Sequence, residues 1–267
     1  MLDASMPPIL RLPLELRQQI YSYLLPCEPV SHPLPTVGIT SVSHQLPSAN
    51  ILLIHPNISE EVLDYYYAIT TWKLIFSHAF NFFRIDPDLR QLEQSAALAR
   101  IRKVELVFFC DILLLREYPS FGLESFCAEI RKRADRACQV LSNAKQLCSV
   151  TVSWIDTTLT GGWTEKAKIL QPLRQMDKHI TFRIGEINGP EDVDREMFVE
   201  AMRDVLGAER RLETGLDGSG DEPSQLRMLA FDVRQDRQKP SVTQRLHQFG
   251  GCHASGCVDT ASRVSLA

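Results

Sequence analysis

The sequence predicts a mixed α/β fold, α+β overall: a short helical module, then a body of mainly parallel strands alternating with helices, then a disordered tail. Three observations predict it. Apolar residues recur at helical spacing over residues 13–25, 57–69 and 123–143. Short stretches of alternating apolar and polar residues follow, at 101–109, 150–154 and 180–184. From about Gln235 onward no period survives and small and polar residues dominate. Strands that alternate with helices imply parallel pairing through right-handed crossovers.

Taken in order, Pro13 opens the first helix, because the amide that proline lacks has no intrahelical partner there. Leu16, Ile20, Tyr23 and Leu24 line one face, Tyr21 and Leu25 widen the stripe, and Pro26 and Pro29 stop it. Residues 27–49, rich in Pro, Ser, Thr and His, read as a long loop. Asn57 followed by Glu60 has the character of a capping box, and Val62, Tyr65, Tyr66 and Ile69 form the next stripe. Residues 70–76 switch to β-rich alternation, and a short helix is expected from about Asp88 to Ala99.

Ile101 to Phe109 then alternates, with Val104, Leu106 and Phe108 on one face. Leu123, Phe126, Cys127, Ile130, Ala134, Cys138 and Leu141 make a regular helical stripe. Val150, Val152 and Trp154 oppose Thr151 and Ser153, and Ile180, Phe182 and Ile184 oppose Thr181 and Arg183. Thr164 to Gln175 reads as a helix that Pro172 must shorten or kink. Pro190 opens another, with Val193, Met197, Ala201 and Val205 inward and Gly207 as its stop. Leu229, Phe231 and Val233 suggest a further strand. The segment 213–225 (ETGLDGSGDEPSQ) reads as a flexible insertion.

Parallel strands covered on both faces read as continuous apolar runs, whereas these alternate. Helices on one side of the sheet and a partly open opposite face follow, like an irregular leucine-rich-repeat arc without a strict repeat consensus. The expected organisation is a helical module over 1–76 with its loop at 27–49, an α/β body over 77–233, and a disordered tail over 234–267.

With 267 residues, 44% of them hydrophobic and 23% charged, the chain can bury a full core. A net charge of −4 gives no general attraction for nucleic acid or anionic membrane. Seven cysteines do not space as a disulfide framework, and Cys110, Cys127, Cys138 and Cys148 sit among apolar residues. The first residues lack the features of a signal peptide, and the longest apolar run, Val104 to Leu115, is too short to span a bilayer. The expected address is cytoplasmic or nuclear, with no membrane and no nucleic-acid partner.

The stretch from Leu10 to Leu25 (LRLPLELRQQIYSYLL) resembles the opening helix of F-box and F-box-like proteins. With Arg17 and Ile20-Tyr21 it is similar to the large fungal F-box-like group that begins LPxE(I/L)RxxIYxYLL. Residues 51–67 (ILLIHPNISEEVLDYYY) followed by 70–74 (TTWKL) resemble that group's second conserved run, and 101–106 (IRKVEL) its following strand. The resemblance covers roughly the first 110 residues. It departs at His55-Pro56, where the group usually has a polar pair containing Arg.

This resemblance implies docking on the Skp-type adaptor of a cullin–RING (SCF) ubiquitin ligase, with the rest of the chain recruiting an unknown target. Leu12, Pro13, Leu16, Ile20, Tyr21, Leu24 and Leu25 would supply the docking surface, as a helix laying apolar anchors into a groove. The alternative is a non-catalytic scaffold in which the same residues are only core.

Other groups each have a second reading. Asp111, Asp156 and Glu186 fall just after expected strands, where three acids could hold a divalent metal in an α/β enzyme, or simply suit turns that meet water. His247, Cys252, His253 and Cys257 are zinc-ligand types at a spacing that fits no standard finger. Arg131, Lys132, Arg133 and Arg136 read as a solvated helix face, or as a phosphate or RNA contact. Gly161-Gly162 lacks the Lys of a phosphate loop and reads as a turn, and Cys127 and Cys138 lack an evident base partner. No cofactor and no catalytic residue is nominated, and the expectation is an adaptor rather than an enzyme.

Overall fold

The structure is a computed structural model, and it describes residues 7–34, 39–77, 88–110, 122–158, 162–189 and 195–214. A 3-10 turn at Pro8–Arg11 leads into α1, Leu14–Leu24. Pro13 is the N-cap of α1, its preset φ of −52° serving the extended backbone before the first turn.

Two short helices follow, α2 at Ala49–Leu52 and then α3 at Pro56–Ile69. The capping box expected at Asn57 and Glu60 does not form. Pro56 takes the first helical position, so Asn57 already lies inside the first turn, and His55 becomes the cap. Its Nδ1 accepts from the Asn57 N–H at 3.2 Å.

Seven strands form one sheet in chain order. They are β1 (Val30–Ser31), β2 (Ser41–Val42), β3 (Thr71–Phe76), β4 (Lys103–Cys110), β5 (Ser149–Asp156), β6 (Thr181–Asn188) and β7 (Leu212–Glu213). β1, β2 and β3 pair antiparallel, and β3 to β7 pair parallel. The expected loop at 27–49 is thus partly paired: His32 and Thr40 join across it, and the Thr40 N–H donates to the Lys73 carbonyl at 2.9 Å. The sheet also runs across residue 76, where a boundary was expected.

The parallel strands are linked by α4 (Arg90–Gln94), α5 (Leu123–Leu141), α6 (Trp163–Ala167) and α7 (Arg195–Leu206). α4 is shorter than the helix expected over 88–99, since Ser95 already has extended backbone. After α6 the chain tightens into a 3-10 helix over Lys168–Gln175. Pro172 has no N–H to give an α-helical ladder, and i→i+3 bonding tolerates that better. Gly207 ends α7 at a φ of +77°, its N–H bonded to the Arg203 carbonyl at 2.8 Å. The strand expected at 229–233 lies outside the described residues.

One parity of every long strand is buried in a single core: Trp72, Leu74 and Phe76 from β3, Val104, Leu106 and Phe108 from β4, Val150, Val152 and Trp154 from β5, Phe182 and Ile184 from β6. Ile58 and Tyr66 of α3, Phe126, Ile130 and Leu141 of α5, and Phe198 and Met202 of α7 belong to the same core. The helices therefore share one face. Aromatic rings run along it, with Phe108, Trp163 and Phe198 all within 6.2 Å of Trp154, centroid to centroid.

The opposite face divides in two. Toward the amino ends, Thr71, Lys73, Lys103, Glu105, Ser149, Thr151, Thr181 and Arg183 keep solvent contact. Toward the carboxyl ends Ile75, Val107, Ser153 and Ile155 are buried. The partly open face expected from the alternation is thus widest over the amino half, with Phe109 and Glu186 still half-exposed toward the carboxyl ends.

Candidate partner-binding surface on the first helix

Helical periodicity sends Arg17, Tyr21 and Leu25 to one side of α1 and Leu16, Ile20 and Tyr23 to another. The first side is fastened to α3. Arg17 reaches Glu61 with both Nε and Nη2, at 2.8 and 2.9 Å, and its Nη1 donates to the Leu12 carbonyl at 2.5 Å. The Tyr21 hydroxyl donates to the same Glu61 carboxylate at 3.1 Å, and its ring lies 6.1 Å from that of Tyr65. Burial, then the carboxylate of Glu61, push the Tyr21 phenol above its ordinary value, so it stays a donor.

The planar guanidinium fits a carboxylate in fork geometry, which fixes both the roll of α1 and the turn before it. Glu61 falls within the run at 51–67 that resembles the fungal group, but nothing in the sequence joins it to Arg17. Arg17 and Glu61 stand 44 residues apart, and no local period links them.

The seven expected docking residues divide accordingly. Tyr21 and Leu25 are core, at 1% and 2% exposure. Leu12, Leu16 and Leu24 are exposed at 37%, 47% and 47%, Pro13 is exposed, and Ile20 is half-buried. Leu14 and Tyr23 extend the exposed apolar surface. Docked apolar side chains would have to come from these exposed residues, with Tyr21 and Leu25 buried beneath the helix.

Of the three acids, Asp111 lies outside the described residues. Asp156 is sealed: its Oδ2 pairs with Lys166 Nζ at 2.7 Å, and its Oδ1 accepts from the Thr158 N–H and hydroxyl at 2.9 and 2.6 Å. An ammonium thus stands where a metal would have to approach. Glu186 is half-buried, and its backbone N–H donates to Ser153 Oγ at 3.2 Å. No group of three metal-ligand side chains occurs among the described residues. His247, Cys252, His253 and Cys257 lie outside them.

The basic run on α5 is only in part a solvated face. Arg133 donates to the Ser77 carbonyl at 2.8 Å, and Arg136 donates to the Asp88 carbonyl and to Glu93, both at 2.6 Å. These arginines stitch α5 to the end of β3 and to α4, while Lys132 stays exposed. Gly162 is a left-handed N-cap of α6, with φ +97°, as a turn requires.

Three cysteines are buried as expected, but Cys148 is exposed at the start of β5, its Sγ donating to the Arg102 carbonyl at 3.3 Å. Burial pushes the Cys127 thiol up to about 11 and the Cys138 thiol to about 12, and raises Cys110 as well. Brief iodoacetamide treatment of the native protein, read by peptide mass spectrometry, is therefore expected to label Cys27 and Cys148 and spare these three. The same thiols bind their protons more tightly folded than unfolded. Stability is intact below the ordinary thiol value of 9.0 and falls as pH climbs from there toward 11 and 12. Melting temperatures that stay level between about pH 9 and 11 would contradict this.

Among the described residues no helix is long and apolar enough to cross a membrane. Comparison with family models, with curated proteins and with solved structures gives no match to this chain.

Proposed function

We propose that this chain is a protein-interaction adaptor whose first helix docks on a Skp-type adaptor of a cullin–RING ubiquitin ligase, while the body recruits a target. One observation supports the docking role most. α1 is held through Arg17, Tyr21 and Leu25, while Leu16 and Leu24 on the helix and Leu12 just ahead of it stay exposed to solvent. Exposed leucines on a helix already held in place are what an apolar groove accepts at a reduced ordering cost.

The test is a binding titration of the full chain with a purified Skp-type adaptor, followed by size exclusion. A Leu16→Asp/Leu24→Asp variant is expected to bind about 100-fold more weakly, since two anchors are lost and two carboxylates would be desolvated. Its melting temperature should change little, both positions being nearly half exposed. Binding that matches the parent would remove this surface from the proposal.

A scaffold reading draws on Tyr21 and Leu25, which are core. It expects no complex with the adaptor from the parent chain at micromolar concentration. In that case α1 would serve only to close the core over α3.

A further inference from the structure

α1 has little of its own to keep it helical. Its 11 residues are too few for a stable isolated helix in water. Its N-cap, Pro13, has no side-chain acceptor for the first-turn N–H groups, and no basic residue stands in its last turn. Along its length only Tyr21 is buried, with Leu25 just past its end. What keeps α1 folded is therefore its contact with α3.

That contact centres on one carboxylate. Arg17 Nε and Nη2 and the Tyr21 hydroxyl all donate to Glu61, at 2.8, 2.9 and 3.1 Å. Among the described residues no other hydrogen bond joins an α1 side chain to anything beyond α1 and the turn at its entrance. Arg17 Nη1 carries the hold into that turn, donating to the Leu10 and Leu12 carbonyls at 3.4 and 2.5 Å. The Arg17 and Glu61 side chains are 13% and 28% exposed, so water competes with this fork only in part.

We infer that Glu61 is the positioning residue of α1: its carboxylate sets the fraction of molecules in which α1 is folded against α3, and α1 opens from α3 as one unit while the sheet and α5 stay closed. Opening withdraws Tyr21 and Leu25 from a core whose other buried side chains come from Ile39 onward. Leu12, Leu16 and Leu24 are presented together only in the closed form, so Glu61 acts on docking through α1 rather than by touching a partner. That consequence rests on the docking proposal, whereas the opening of α1 does not.

The test is amide hydrogen exchange of the full chain, read by NMR, for the parent, Glu61→Ala, Arg17→Met and the double variant. In the parent, α1 amides are expected to exchange at least about tenfold faster than the slowest amides of α5. Glu61→Ala should speed α1 exchange by a further factor of about 10 to 100, as expected for the loss of hydrogen bonds between charged groups, with α5 still the slower. Arg17→Met works through the same contact, so the double variant should exchange within about threefold of Glu61→Ala alone.

Equal rates in α1 and α5 of the parent, unchanged α1 exchange in Glu61→Ala, or a Glu61→Ala chain that unfolds throughout would each overturn the inference. So would effects of the two substitutions that simply multiply. A Skp-type adaptor that docks on α1 should slow α1 exchange in the parent, by about tenfold at ten times its Kd. An adaptor that leaves α1 exchange unchanged would remove the docking proposal, while the result for Glu61 would still be decided on the free chain.

Discussion

Lys166→Met is expected to lower stability by about 3–5 kcal/mol, the usual cost of leaving one member of a buried ion pair without its partner. The Lys166 and Asp156 side chains are 1% and 0% exposed, and Nζ sits 2.7 Å from Oδ2. Methionine fills the volume of the lysine stem, so the loss would be electrostatic rather than a cavity effect. Asp156 would keep the donors of Thr158 but lose its only oppositely charged contact at 4 Å or less among the described residues. Adding Asp156→Asn should return most of the loss, because the amide oxygen can still accept from Thr158 while no charge remains buried. Urea denaturation of parent, single and double variants, at constant m, gives the comparison. A single variant within about 1 kcal/mol of the parent would show that the pair is not isolated from solvent in the folded chain.

This pair shows where sequence reading reaches its limit. Asp156 was legible as the polar residue that ends a strand, which left turn and metal site equally open. Lys166 sits in a stretch with helical spacing, where a lysine ordinarily reads as solvent-facing. Nothing in the order of residues tells that the five-residue α6 turns its lysine inward at the end of β5. By contrast, α5 was legible nearly to the residue, because 19 residues of amphipathic helix repeat the signal five times.

The same logic explains the strands. β4, β5 and β6 each span eight residues and alternate, whereas β1, β2 and β7 are two residues long and carry no period. They exist by pairing onto a longer neighbour, a tertiary effect that local propensity cannot show. The apolar stripe on α1 was legible as a stripe. Which half of it would be core depended on Glu61 and Tyr65, contributed by α3.

Gly185→Ala is expected to cost about 2–3 kcal/mol, which is large for the addition of one methyl group. The pairing of β5 with β6 slips here: Val152 is opposite Ile184, but Trp154 is opposite Ile187, so β6 carries an extra residue. A Cβ on Gly185 would lie 2.2 Å from Ser153 Oγ and 2.9 Å from Thr151 Cγ2. Ser153 is fully buried and cannot swing into water. Its hydroxyl donates to Glu105 at 2.8 Å and accepts from the Glu186 N–H, and Glu105 in turn pairs with Lys73 at 2.9 Å. Moving that hydroxyl would therefore disturb a polar row that crosses β3, β4, β5 and β6. Introduced into a Ser153→Gly background, Gly185→Ala should cost at least about 1 kcal/mol less, since the nearest clashing atom is gone while the Thr151 contact stays. An equal cost in both backgrounds would mean that the bulge, not the hydroxyl, demands glycine. In the row as it stands Lys73 and Glu105 neutralise each other, so breaking the row would leave a charge without its partner on the partly open half of the sheet.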